Sequence, residues 1–269
     1  DEYQDNKVTV HSDDEVPSIA IIPFENKGAD EDVFYAYGIS VDLISDVTSA
    51  GLIRVASKKQ IEDAGDLPQD ELANKLDVRY IANGELWRMG DMFQLSIELY
   101  DTKDKKVVWS DRWEENWENL SLIKRNLSDG LLKALDLKPK MENMFKTVNN
   151  QAYEYYLQGK YKMIHRKNME DISMAEGLFK KAIELDDNLV EARQYLGFIY
   201  LNKEDFDTAF VIYSTILKQS EEIGDKKGIG IGLLYLGAVY VSKGDYDKGL
   251  EYGSRALVIQ EEVNNMDGV

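Results

Sequence analysis

Acid–base chemistry needs carboxylates or histidines gathered in a pocket, and the chain has candidates for both. Asp13-Asp14, Glu114-Glu115 and Asp186-Asp187 are adjacent acid pairs. All three lie in mostly polar surroundings, so they read as solvated charges and not as a general acid with its base. The only histidines are His11, in a polar arm, and His165, among Lys162, Arg166 and Lys167. Those cations repel a metal ion, and no HExxH pairing is present, so both histidines read as surface residues. There are no cysteines, which removes disulfides, thiolate nucleophiles and Cys-based metal sites together. Gly228, Gly230 and Gly232 spell GxGxG, but a dinucleotide fingerprint follows a strand, and these glycines open a helix. No GxxxxGK[ST] or GxSxG occurs, and Gly28 has no phosphate-binding pattern behind it. Trp109, Trp113 and Trp117 suggest a sugar platform, yet Trp109 and Trp113 share one face of a strand and read as core. The sequence thus predicts no catalytic, cofactor-binding or metal-binding residues.

Charge narrows the partners. Against 32 Lys and Arg stand 50 Asp and Glu, a formal net charge of −18 over 269 residues, with 43% hydrophobic residues. Such a surface repels phosphate backbones and anionic lipid, which disfavours nucleic acid and direct membrane contact and leaves protein or peptide partners. The longest strongly apolar run, Ile19 to Ile22, is far too short to span a bilayer. No signal peptide is visible, and a start at Asp1 suggests a longer parent protein.

Residues 1–17 carry six acids, one lysine and no apolar period, the pattern of a flexible acidic arm. Ile19 to Phe24 predicts a strand buried on both faces. Val33, Tyr37, Val41, Ile44 and Val47 recur at helical spacing. Leu52 to Ala56 reads as a second short strand, and Pro68 to Leu76 as a helix. From Val78 the period becomes two. Val78 to Trp87, the segment around Leu95, Ile97 and Leu99, and Val107-Val108-Trp109 predict an antiparallel meander. Leu120, Ile123, Leu127, Leu131 and Leu135 form a closing helical stripe, with Pro139 as a stop. The expected fold is a mixed α/β domain over 18–138, parallel then antiparallel, a linker over 139–150, and an all-α region over 151–269.

The all-α region repeats every 40 residues. Tyr195-Leu196-Gly197-Phe198-Ile199-Tyr200 matches Tyr235-Leu236-Gly237-Ala238-Val239-Tyr240, Asp205-Phe206-Asp207 matches Asp245-Tyr246-Asp247, and Glu221-Glu222 matches Glu261-Glu262, with Gly228 falling on Gly268. A less regular copy holds Tyr156-Leu157-Gln158-Gly159, then Ala175, Phe179 and Ala182. Small residues suit the close approach of paired helices, and large ones the gaps between pairs. This pattern resembles the tetratricopeptide (TPR) repeat family in its 40-residue variety. It departs at Gly249 and Gly253, where Ala and an aromatic are usual, so the last helix is expected to pack more loosely. About three hairpins are expected, in an array that continues past Val269 and leaves an apolar end able to self-associate.

Residues 18–138 resemble the TolB-like domain of bacterial signalling proteins. The resemblance rests on Ser18-Ile19-Ala20-Ile21-Ile22-Pro23-Phe24-Glu25-Asn26, Tyr37-Gly38-Ile39-Ser40, Leu52 to Ser57, Leu76 to Gly84, and the Trp109 to Trp113 strand. With repeats behind it, the resemblance implies a non-catalytic sensory or scaffolding part of a membrane-anchored signalling protein. Its parent would carry a cyclase, kinase or DNA-binding output domain. An extracytoplasmic location follows from the resemblance, with a cytoplasmic one left open. On the TPR pattern the partner-binding inner face comprises Tyr153, Tyr156 and Lys160, then Gln194, Phe198 and Leu201, then Leu234, Ala238 and Val241. That face is apolar and suits an apolar or helical segment, or packing against the first domain. The alternative is a small-ligand receptor binding at the carboxyl ends of the parallel strands, near Phe24, Asn26 and Ser57.

Overall fold

In the computed structural model, which describes residues 17–137 and 149–265, the apolar run after Pro17 forms strand β1 (Ser18–Ile21). Ile19, Ala20 and Ile21 are wholly buried, because β1 is flanked on both sides by parallel partners, β3 (Arg54–Val55) and β4 (Tyr80–Met89). The run does not continue as one strand to Phe24. Pro23 has no N–H to give the ladder, and the chain rejoins β4 further along as the two-residue β2 (Glu25–Asn26). Strands β5 (Met92–Asp101) and β6 (Lys106–Asn116) complete the expected antiparallel meander, in the order β3-β1-β4-β5-β6. Gly90, at φ +62°, makes the β4–β5 turn.

Period two decides the faces of the meander. Phe93, Leu95, Ile97 and Leu99 are buried, while the alternating Gln94, Ser96 and Glu98 stay partly or fully exposed. Helices α1 (Val33–Ser49) and α4 (Leu120–Ala134) belong to this unit. Gly130 of α4 is needed because a Cβ there would stand 2.9 Å from the Trp109 ring, with Trp113 close by at 3.8 Å. These two tryptophans therefore pack on α4 and build no sugar platform. Ile123, Leu127 and Leu131 of α4, and Leu135 just after it, are buried as their spacing predicts; the side chains of Leu120 and Trp117 lie outside the described residues, as do residues 1–16 with His11, and 138–148 with Pro139.

Two local expectations need correction. Ile44 and Val47 of α1 are buried as their spacing predicts, but the rest of the buried stripe is Tyr35, Ala36, Ile39 and Leu43, whereas Val33, Tyr37 and Val41 are only half-buried. Its buried residues ring so much of the helix that periodicity alone could not choose the face. Leu52 to Ala56 yields only the two-residue β3, and it is followed by a helix not anticipated, α2 (Lys58–Ala64), ahead of α3 (Gln69–Leu76). The signal for α2 was present: Ser57 accepts from the Gln60 N–H while the Gln60 side chain accepts from the Ser57 N–H, a capping box written S-x-x-Q.

Two buried carboxylates of this unit, Asp101 and Asp32, are paired with arginines. Arg79 Nε donates to both oxygens of Asp101 at 3.2 Å and Nη2 to Oδ2 at 2.7 Å, and the N–H groups of Lys103 and Asp104 add to the cradle. Burial raises the Asp101 carboxyl, but hydrogen bonds from Arg79 and Asp104 outweigh it and hold the group below the usual aspartate range. Arg88 spans from Asp32 Oδ1, at 3.0 Å, to the Tyr35 ring.

The chain divides into two compact units, residues 1–145 and 146–269. The second consists of three helical hairpins: α5 (Asn150–Ile164) with α6 (Met169–Leu185), α7 (Val190–Asn202) with α8 (Phe206–Ile223), and α9 (Lys226–Ser242) with α10 (Tyr246–Asn265). Side-chain caps start several helices, Asp205 accepting from Thr208 N–H and Asp225 from Gly228 N–H. Within the first two hairpins a glycine of the first helix faces a ring of the second. A Cβ on Gly159 would come within 2.8–3.1 Å of the Phe179 ring, and one on Gly197 within 2.6–3.0 Å of the Tyr213 ring. The third hairpin lacks the ring and does not loosen as expected. Its backbones approach instead, with Gly249 O and Gly253 N at 3.1 and 3.3 Å from where a Gly237 Cβ would sit.

Candidate interaction site in the helical hairpins

Leu236, Tyr200 and Tyr240 do the bridging between hairpins that their sequence positions suggest. Leu236 joins Ala209, Tyr213 and Ile216 of the preceding hairpin in one buried cluster. The Tyr240 ring meets Phe210 edge-on at 5.8 Å, and Tyr213 stacks on Tyr235 at 4.7 Å. Tyr200 donates its hydroxyl to Glu176 of the hairpin before it at 3.0 Å. The glycines 228 and 232 serve this same packing: a Cβ on Gly232 would lie 2.8–2.9 Å from Leu217. The GxGxG run is thus a helix-crossing device and makes no phosphate loop.

Because α7 and α9 lie side by side, the residues 40 apart on them form one face: Gln194 with Leu234, Phe198 with Ala238, Leu201 with Val241. Leu234 and Val241 are 56% and 46% exposed, and the other four are half-buried. The first-hairpin part of the expected face differs. Tyr153, Tyr156 and Lys160 are all buried, with Tyr153 stacked on Tyr156 at 5.8 Å and the Lys160 ammonium over the Tyr156 ring. The open part of the expected inner face is therefore confined to α7 and α9, and the buried Lys160 adds no cation to it.

The lysines at the ends of these two helices point elsewhere. Lys203 pairs with Glu176 and Lys243 with Asp207, 2.7 Å away, each on the second helix of the preceding hairpin. Glu176 also accepts from Lys180 at 2.6 Å and from Tyr200. Burial alone would raise its carboxyl, yet the hydrogen bonds from Lys180, Lys203 and Tyr200 pull it down to about 2. The sequence reading missed this cluster; the 40-residue spacing of Lys203 and Lys243 was its visible trace.

The polar groups proposed for a small ligand have local partners. Asn26 donates from Nδ2 to Ala29 O and accepts from Gly28 N–H, Ser57 caps α2, and Phe24 packs on Gly84. Asp186 accepts from the N–H groups of Asn149 and Asn188, Asp187 from Arg193 and Gln219, Glu114 from Arg112 and Glu115 from Asn119. His165 shares a 3.0 Å contact with Tyr161 O. Among the described residues no three His, Asp or Glu side chains gather as a metal site, and no helix is long and apolar enough to cross a membrane. Two shallow surface depressions, about 360 Å³ near Lys180, Asp187 and Arg193 and about 480 Å³ along α8, include none of the α7–α9 face.

Residues 178–210, from α6 to the start of α8, match the tetratricopeptide repeat family. Among curated proteins the chain is similar to "Putative adenylate cyclase 3" of Rhizobium meliloti (strain 1021), at 23% identity over 194 residues, or 69% of this chain. The chain spans only 33% of that relative's length. Similar solved structures include TolB from Acinetobacter baumannii, 19% identical with a TM-score of 0.36, covering 45% of this chain and 29% of TolB. MamA is 21% identical with a TM-score of 0.35, covering 54% of this chain and 77% of MamA. The second unit is a tetratricopeptide array, and such repeats generally serve protein–protein contact.

Proposed function

We propose that the chain is a non-catalytic protein-interaction and signal-input module, and that the α7–α9 face holds an apolar, helical segment of a protein partner. The observation that carries this is the exposure of Leu234 and Val241 on a face continuous with Phe198, Leu201 and Ala238, while the nearby Lys203 and Lys243 are engaged by acids. An apolar face whose neighbouring lysines are already paired with acids suits apolar side chains better than a peptide carboxylate. The name of the Rhizobium meliloti relative supports a parent protein with cyclase output. A membrane-anchored parent, with this part extracytoplasmic, remains the reading that the TolB-like resemblance supports.

The test is site-specific photocrosslinking in cells. A crosslinker at position 234 or 198 should capture one defined polypeptide, and one at Val211, exposed on α8, should not. No adduct from the face, together with a small molecule that raises the melting midpoint, would overturn the proposal in favour of a ligand receptor.

A further inference from the structure

The two ends of the sheet in the α/β unit differ. At one end β3 is two residues long, which leaves little backbone for another strand to pair with. At the other, β6 runs for eleven residues, and among the described residues no strand pairs with its outer side. A long open edge is a template for strand addition unless the chain blocks it. The one irregularity in the β5–β6 ladder lies at Leu99/Tyr100, so the stretch from Trp109 to Asn116 is regular strand.

Asp111 stands in the middle of that stretch. The register sets it opposite the buried Ile97, on the same face as Trp109 and Trp113. The two rings lie 6.3 Å apart, tilted at 54°. The Asp111 carboxylate, itself exposed, accepts the Arg112 N–H at 2.8 Å. An N–H taken by a side chain is withheld from an incoming strand, and the carboxylate repels that strand's carbonyls. The adjacent Arg112 side chain does not answer the charge. It is held on the opposite face, by Gln94 at 2.6 Å and Glu114 at 2.8 Å.

We propose that β6 takes one added strand from a protein partner. That strand is an extended segment with a lysine or arginine opposite Asp111, and with apolar residues two positions to either side, against Trp109 and Trp113. Directly opposed unlike charges stabilise a strand pair. The incoming cation draws Asp111 off Arg112, and the freed N–H joins the new ladder. The chain's net charge of −18 attracts such a segment from a distance. A second copy of this chain is a poor occupant. In the antiparallel register that sets Trp109 of one copy against Trp113 of the other, the two Asp111 carboxylates face each other. This edge belongs to the α/β unit, so the inference stands whether or not the α7–α9 face binds a partner.

The test titrates the isotope-labelled whole chain with a soluble extended peptide of core Val-Thr-Lys-Thr-Val, and with its twin carrying Glu for Lys, followed by NMR. The Lys peptide should bind at least about five times more tightly than the Glu peptide. It should shift the Arg112 amide and slow amide exchange at Ser110, Arg112 and Glu114. Asp111→Asn, which keeps the shape of the side chain, should abolish the preference, and Asp111→Lys should reverse it. The chain stays strongly acidic after either change, so a general attraction for cations would leave the preference standing. No binding of either peptide at millimolar concentration, equal affinity for both, or a preference that survives Asp111→Lys would each overturn the inference. So would protection of β6 that grows with the concentration of the chain alone, which would make a second copy the occupant.

Discussion

The two units solve the same burial problem with different reach. In the α/β unit the strand β1 joins segments far apart in sequence: Ile19 pairs with Val55 on one side and Tyr80 on the other. Its buried charges also bridge distant segments, as Arg88 does to Asp32. In the helical unit the principal contacts stay within a hairpin, as Gly197 to Tyr213, or reach only its neighbour, as Tyr240 to Phe210. A sheet of this kind shares its damage among all strands, whereas a solenoid confines it to neighbours.

The sharpest way to break that comparison is a matched pair of core truncations. Tyr213→Ala should cost about 3–5 kcal/mol and Leu99→Ala about 2–5 kcal/mol. Hydrogen exchange should show lost protection centred on α7, α8 and α9 for the first, with α5 largely spared, and across β1, β4, β5 and β6 together for the second. Equal spread in both would refute the distinction between local and shared stability.

A smaller effect concerns acid. The Glu176 carboxyl, ordinarily near 4.5, sits at about 2 in the folded chain, so its contribution is complete above pH 4.5 and disappears as pH falls toward 2. Glu176→Gln should therefore cost about 1–2 kcal/mol at neutral pH, discounted because the partner lysines are partly exposed, and progressively less in acid. Urea titrations at pH 7, 4 and 2.5 measure it; a difference that stays constant with pH would mean that the Lys180–Lys203 pairing contributes nothing. For Asp101 the same sign applies, its carboxyl also being lowered.

The smallest effect is a gain. Nothing lies within 4 Å of a Cβ built on Gly253, so Gly253→Ala should stabilise α10 by about 0.5–1 kcal/mol through helix propensity alone. Gly249→Ala should not, because its Cβ would meet Val241 at 2.5 Å and Gly237 O at 3.3 Å, even though alanine is usual there in the repeat. Thermal melts of the two variants, if they moved in the same direction, would show that the close α9–α10 approach is not what glycine serves.

Much of the fold was legible because short-range periodicity carries it. Alternation along Leu95, Ile97 and Leu99 named the inner face of β5, the Ile123-Leu127-Leu131 stripe named that of α4, and the 40-residue repeat named three hairpins and the residues that bridge them. None of these needs knowledge of a distant segment. What only the tertiary structure decided is whatever depends on which distant surface arrives. It turned Tyr35, Ile39 and Leu43 of α1 inward, drew α9 and α10 together where the ring was missing, and closed Glu176 between Lys180 and Lys203. It also buried Tyr153, Tyr156 and Lys160, so that a face expected over three hairpins stays open on two. A residue's type and spacing state what it can bury; only the approach of other elements states whether solvent still reaches it.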